Sequence, residues 1–125
     1  MLNDWLDQHP PEEKDEHPVD EREARRNAAD RRAALRRMKP QATLDLHGLT
    51  VADALERADR FLEEAKSSGY RKVLIIHGKG IHSLDGDAVL KSAVRAHLRE
   101  HRLAGETGIP DRSMGGDGAS WVVLR

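Results

Sequence analysis

A chain of 125 residues accommodates one modest domain with a tail, not two full domains. The absence of cysteine excludes disulfides, thiolate metal sites and cysteine nucleophiles, and with aromatics at 3% the core must come from Leu, Val, Ile and Ala. The formal charge of −1 conceals an asymmetry: residues 1–20 carry one base against seven acids, residues 21–40 eight bases against three acids, and residues 41–125 twelve of each. No apolar run approaches a membrane span, and the start, MLNDWLD, lacks a signal peptide's basic and apolar regions. A soluble, cytoplasmic protein is the default.

Residues 1–40 read as a charged N-terminal extension. The acidic part, 1–20, holds three prolines and few apolar residues. It buries too little to offset its ordering entropy, which predicts disorder. Leu2, Trp5 and Leu6 fall at i, i+3, i+4, the spacing of a short helical docking motif; packing back on the domain is the plainer reading. Residues 21–39 form a basic arm. EREARRNAADRRAALRRM, from Glu21 to Met38, favours helix but has no core-facing stripe. Arg25, Arg26, Arg32, Arg36 and Arg37 suit phosphate neutralisation, and the alternative is pairing with the acidic block. Pro40 sets the boundary to a domain over 41–125.

The domain opens with TLDLHGL, Thr43–Leu49, whose alternation is that of a strand ending in a turn at Gly48. Asp45 and His47, two apart, project from one face. Thr50 and Asp53 predict a helix cap, and Val51, Leu55, Ala58, Leu62 and Ala65 an apolar stripe that stops at Ser67-Ser68-Gly69. KVLIIH, Lys72–His77, reads as a strand buried on both faces. A strand–helix–strand unit of this length implies a parallel crossover, which brings His47 and His77 to one rim of the sheet.

The second strand runs into HGKGIHS, His77–Ser83. Gly78 and Gly80 allow close backbone approach to a ligand and Lys79 adds positive charge; a plain tight turn is the alternative. A helix from about Asp87 to His101 follows, with Leu90, Val94, Leu98 and His101 on one face and its amino terminus favouring an anion. Leu103–Thr107 is a weak third strand. Gly115, Gly116 and Gly118, with Arg112, form either a plain loop or a wrap around the same ligand, and ASWVVL (Ala119–Leu124) is the last strand. The whole is an α/β two-layer sandwich, a four-stranded mixed sheet with two helices in the order βαβαββ.

LDLHG (44–48), HGKGIHS (77–83) and GGDGA (115–119), in this order and followed by an apolar strand, resemble the small MutS-related (Smr) domain over about two thirds of the chain. The resemblance implies a fold like the carboxy-terminal domain of bacterial translation initiation factor three. It also implies nuclease activity on DNA or RNA, in some members on mRNA at stalled ribosomes. Carried over by position, Asp45 and His47 are catalytic, Gly78, Lys79 and Gly80 bind phosphate, and His82 matches a histidine commonly found after that loop. The long Gly- and Pro-containing approach to Gly115 departs from the family pattern. No MutS ATPase portion accompanies the domain.

Phosphodiester cleavage needs a base, an acid, and positive charge for the transition state. His47, oriented by Asp45, supplies one proton role and His82 or His77 the other, while Lys79 and the loop amides hold the charge. With RNA the 2′-hydroxyl is a ready nucleophile and no cofactor is required; a divalent metal held by Asp45 and two histidines is the competing route. The functional alternative is a non-catalytic RNA- or ribosome-binding or DNA-structure-binding module. Scarce aromatics favour reading of backbone and shape over base stacking.

Overall fold

Asp20 starts the first helix, α1 (Glu21–Arg37), by accepting the Arg22 N–H on its carboxylate at 3.0 Å. The computed structural model describes residues 20–78 and 85–125, without the side chains of 85–87. The acidic segment with Leu2, Trp5 and Leu6, and the loop residues Lys79, Gly80 and His82, lie outside the described residues. No residue of α1 is buried, as its lack of an apolar stripe predicts. The chain divides into two units between Arg36 and Arg37, and the second is described next.

That unit contains β1 (Thr43–Asp45), α2 (Val51–Ser67), β2 (Lys72–Ile76), α3 (Asp85–Glu100), β3 (Ala104–Gly108) and β4 (Ala119–Leu124). The strands lie in the order β1-β2-β4-β3, with β1 parallel to β2 and the other two pairings antiparallel. This is the mixed sheet expected from the sequence. The weak third strand sits one residue later than its sequence suggests.

Local chemistry sets the boundaries of α2. The Thr50 hydroxyl accepts the Asp53 N–H at 3.2 Å, the predicted cap. At the other end Tyr70 N–H reaches the Ala65 carbonyl and Gly69 N–H the Lys66 carbonyl, both at 3.0 Å, around Gly69 at φ +81°. This double bond pattern closes a helix through one left-handed residue, which glycine adopts without strain. The buried stripe of α2 is Ala54, Ala58, Leu62 and Ala65; Val51 and Leu55 pack only at its margin. Alanines at the contact let the helix lie close to the sheet. From α3, Leu90, Val94 and Leu98 enter the same core, facing Leu44, Val73, Ile75 and Val122 of the sheet.

β2 is the central support, with Lys72, Val73, Leu74 and Ile75 all buried. Val73 and Ile75 face the helices, while Lys72 and Leu74 lie on the helix-free face, where alternation directs them. The Lys72 ammonium donates to the Met38 carbonyl at 2.7 Å and stands 4.8 Å from the centre of the Trp121 ring. Burial pushes its pKa down, opposed by the charge of Glu106. Trp121 in turn lies across Gly108 on β3, its register partner. A Cβ added to Gly108 would fall 2.3 Å from the indole Cζ2, so only glycine fits there.

Gly108→Ala is therefore expected to destabilise the domain by about 1–3 kcal/mol, through displacement of Trp121. Urea unfolding checks this, and an unchanged midpoint would mean that the indole can move aside without loss.

Candidate active site

The strand register assembles one rim. Asp45 is opposite Ile76, and Ile76 is opposite Ala119, so the three lie in a row across the sheet. Two strand spacings put Asp45 about 10 Å from Ala119. The carboxyl ends of β1 and β2 and the amino end of β4 thus share an edge. The residues 44–48, 77–78 and 115–119 of the three sequence blocks converge there.

Asp45 and His47 are both exposed, on either side of Leu46, which is fully buried. The Leu46 N–H continues the ladder to the Ile76 carbonyl at 2.7 Å, and Leu49 N–H closes a turn back to the Leu46 carbonyl at 3.1 Å. Gly48, at φ +85°, takes the third position of that turn, where a left-handed residue is required. The Asp45 carboxylate accepts the backbone N–H of His47 at 2.9 Å. The acid thus fixes the turn from which the imidazole projects. The sequence pairs Asp45 with the ring; the carboxylate also holds the backbone that carries it.

His77 takes a different position from the one expected of it. It sits on the same rim but on the helix side of the sheet, and it is fully buried. Its Nδ1 lies 3.0 Å from the Gly78 carbonyl, which can only accept, so Nδ1 carries the proton. Nε2 then accepts the Ser120 hydroxyl at 3.0 Å, and Ser120 accepts the Arg95 Nε–H at 3.1 Å. Arg95 also donates to the Asp117 carboxylate and to the carbonyls of Asp117 and Ala119, each at 3.3 Å. Lys91 binds the same carboxylate at 2.8 Å. Hydrogen bonding from Lys91, reinforced by Arg95, holds Asp117 below the usual carboxylate range, against the effect of desolvation. This network ties α3 to the glycine segment. Its members Lys91, Arg95, Asp117 and Ser120 were not apparent from the sequence, where the only signal was two bases at i, i+4 beside a core stripe.

The glycine segment consists of two short 3₁₀ turns, Arg112–Met114 and Gly116–Gly118. Gly115 and Gly116 take φ of +115° and +52°. The N–H groups of Met114 and Gly116 donate to the Asp111 carbonyl, that of Gly115 to Arg112, and that of Gly118 to Gly115. These amides are consumed inside the loop, so the wrapped-ligand alternative loses its backbone donors. Arg112 is exposed at the head of the first turn. The Gly118 carbonyl receives the N–H groups of both His77 and Gly78, each at 2.9 Å. A groove of about 440 Å³ lies on the helix-free face, lined by Pro40, Thr43, Leu74, Ile76, Met114 and Gly115 among others. Asp45, being opposite Ile76, shares that face.

The Smr domain model matches residues 44–125, about two thirds of the chain. The chain belongs to the Smr domain family. It is 42% identical over 94 residues to an uncharacterized protein of Treponema pallidum, covering 75% of this chain and 46% of that protein. It is 40% identical over 90 residues to Endonuclease MutS2 of Symbiobacterium thermophilum, covering 72% of this chain and 10% of MutS2. The chain thus spans less than half the length of either relative. Among solved structures, it superposes on YdaL, a stand-alone small MutS-related protein from Escherichia coli, with a TM-score of 0.66 and 34% identity, covering 73% and 71% of the two chains. Among the described residues of this Smr protein, no helix is long and apolar enough to cross a membrane.

Burial holds the His77 pKa below the ordinary imidazole range; the bond to Gly78 opposes this, Arg95 and Lys91 add to it, and Asp117 opposes. Below an unfolded value of about 6.5 the unfolded chain binds more protons than the native one. The stabilisation is complete above that pH and is lost as pH falls toward the lowered native value. Urea midpoints compared above and below about pH 6.5 should therefore fall more in the parent protein than in His77→Gln. Equal falls in the two proteins would show that His77 does not carry this linkage.

Proposed function

We propose that this Smr protein is an endonuclease that cleaves phosphodiester bonds in RNA or DNA, with Asp45 and His47 at its reactive centre. The observation that carries this reading is the exposure of both residues on a rim where the three blocks converge. A sheet edge at strand carboxyl ends, beside helix amino termini, is a common ligand position in α/β folds. The relationship to Endonuclease MutS2 supports the same activity.

In this mechanism His47 exchanges a proton with the attacking or leaving oxygen, and Asp45 holds the turn that presents it. His82 supplies the second proton role, and Lys79 with Gly80 holds the scissile phosphate. Gly78 shapes the entry to that loop at φ +93°, although its own amide is engaged by Gly118. His77 is assigned to positioning. Its ring is buried and both nitrogens are engaged, so it locks the loop against β4 instead of transferring protons to substrate. Arg112, exposed on the glycine segment that lines the groove through Ser113–Gly115, contributes charge toward the nucleic-acid backbone, and Gly115 and Gly116 shape that segment. With RNA the neighbouring 2′-hydroxyl is the nucleophile. mRNA on a stalled ribosome is one substrate of this class.

Labelled single- and double-stranded RNA and DNA, incubated with and without EDTA, test the assignment. His47→Ala should lower cleavage by about 10²–10⁴-fold, the usual contribution of acid–base catalysis, and Asp45→Ala should lower it through loss of the turn that presents His47. Cleavage persisting unchanged in both variants would remove the rim from the chemistry. A second reading, a nucleic-acid-binding module without catalysis, is favoured by the carboxylate's bond to the His47 backbone and by the burial of His77. It requires intact binding and no cleavage by the parent protein.

The basic helix α1 supplies further positive charge for phosphate contact. Deletion should stop at residue 36, because Met38 and Gln41 bond to Lys72. Removing residues 1–36 is expected to weaken nucleic-acid binding and flatten its dependence on salt, since fewer counterions are released. An unchanged slope of affinity against salt would take the arm out of the interface.

A further inference from the structure

The helical layer carries a second group of chemically capable side chains, apart from the rim. His97 lies in the last turn of α3 and His101 directly follows the helix, four residues on, and Asp59 approaches from α2. His97 Nε2 lies 2.6 Å and His101 Nε2 3.1 Å from the same Asp59 carboxylate oxygen. The ligand atoms of the three lie within 4.8 Å of one another. The two rings meet edge to face at a centroid distance of 5.6 Å. A cavity of about 400 Å³ adjoins them, lined also by Glu100 and Arg102.

We propose that Asp59, His97 and His101 bind a divalent transition-metal ion of the Zn²⁺ class. Two imidazoles and one carboxylate suit zinc, whereas magnesium and calcium require oxygen ligands. A tetrahedral ion with ligands at about 2.0–2.1 Å separates its ligand atoms by about 3.3 Å. The two separations from Asp59 are shorter than that value, so the imidazoles must move slightly outward to admit the ion. Glu100, in the lining of the adjoining cavity, offers a further oxygen donor. His101 Nδ1 accepts the Leu103 N–H at 3.0 Å, which keeps the ring's proton on Nε2 in the metal-free protein. Ligation displaces that proton to Nδ1, gives up the Leu103 bond and replaces the two imidazole–Asp59 contacts, so three contacts are exchanged for three ligand bonds.

The site is distinct from the nuclease rim. Arg95 of α3 binds Asp117 and Ala119 at the rim, whereas His97 and His101 face Asp59 of α2. The ion therefore clasps α2 to α3 and takes no part in the chemistry at Asp45.

Titration of the full chain with Zn²⁺, and with Co²⁺ as a visible-absorbing substitute, tests the proposal. The parent protein should bind one more equivalent than His97→Gln or Asp59→Asn, and Co²⁺ should develop a four-coordinate absorption band that both variants lack. Metal at about 100 times its dissociation constant should raise the folded-to-unfolded ratio about 100-fold, seen as an EDTA-reversible rise in Tm absent from the variants. Both substituted positions are partly exposed, so the variants should fold, which circular dichroism checks. Identical stoichiometry, spectrum and Tm response in parent and variants would overturn the proposal and leave a carboxylate shared by two histidines.

Discussion

The carbonyl of Gly118, by receiving the N–H groups of His77 and Gly78 together, fixes the point where the second strand becomes a loop. Everything on the rim takes its position from that junction. It can hold only because Gly118 is itself held: Arg95 binds the carbonyls on either side of it, those of Asp117 and Ala119. Arg95 is kept in place by Ser120 and Asp117, and Ser120 by His77. The chain of bonds closes on itself. A partly buried polar network of this kind is stable when every member is satisfied, and no buried side-chain nitrogen or oxygen among the described residues lacks a partner.

This closure explains which parts of the molecule were legible in the sequence. The alternation around Leu44 and Leu46, the Thr50 cap, the apolar run of β2 and the glycine at 69 each report a local preference, and each sits where its preference suggests. The sheet order followed, because a helix between two strands leaves few topologies. The anchoring of both His77 ring nitrogens was not legible. It depends on whether the residue after Ile76 faces the helices or the open side, and on the identity of Arg95 and Ser120, 18 and 43 residues further on. Long-range polar partners leave no periodic trace. Asp59, His97 and His101 escaped for the same reason, although the two histidines alone had helical spacing.

The sheet also divides the rim's tasks between its faces. Asp45 belongs to the open face, with the groove over Leu74 and Ile76, and His77 to the covered one. Successive residues of neighbouring strands thus serve contact and support from opposite sides of one backbone. Glycines at 115 and 116 bring the loop down on the open face, where a Cβ on Gly115 would come within 3.0 Å of the Ala119 Cβ. Their conformational freedom is used for close packing, since their amides are already engaged.

The grip of Lys72 on Met38 has a mechanical side. The Gln41 amide and carboxamide also bond to residues 71 and 72, so the chain entering the domain is fastened to the central strand before it reaches β1. The bonds of Gln41 and Ala42 to Lys72 and Leu74 continue the β1–β2 pairing toward the N-terminus. An edge strand of only three residues thus holds its central neighbour over a longer stretch than its own length.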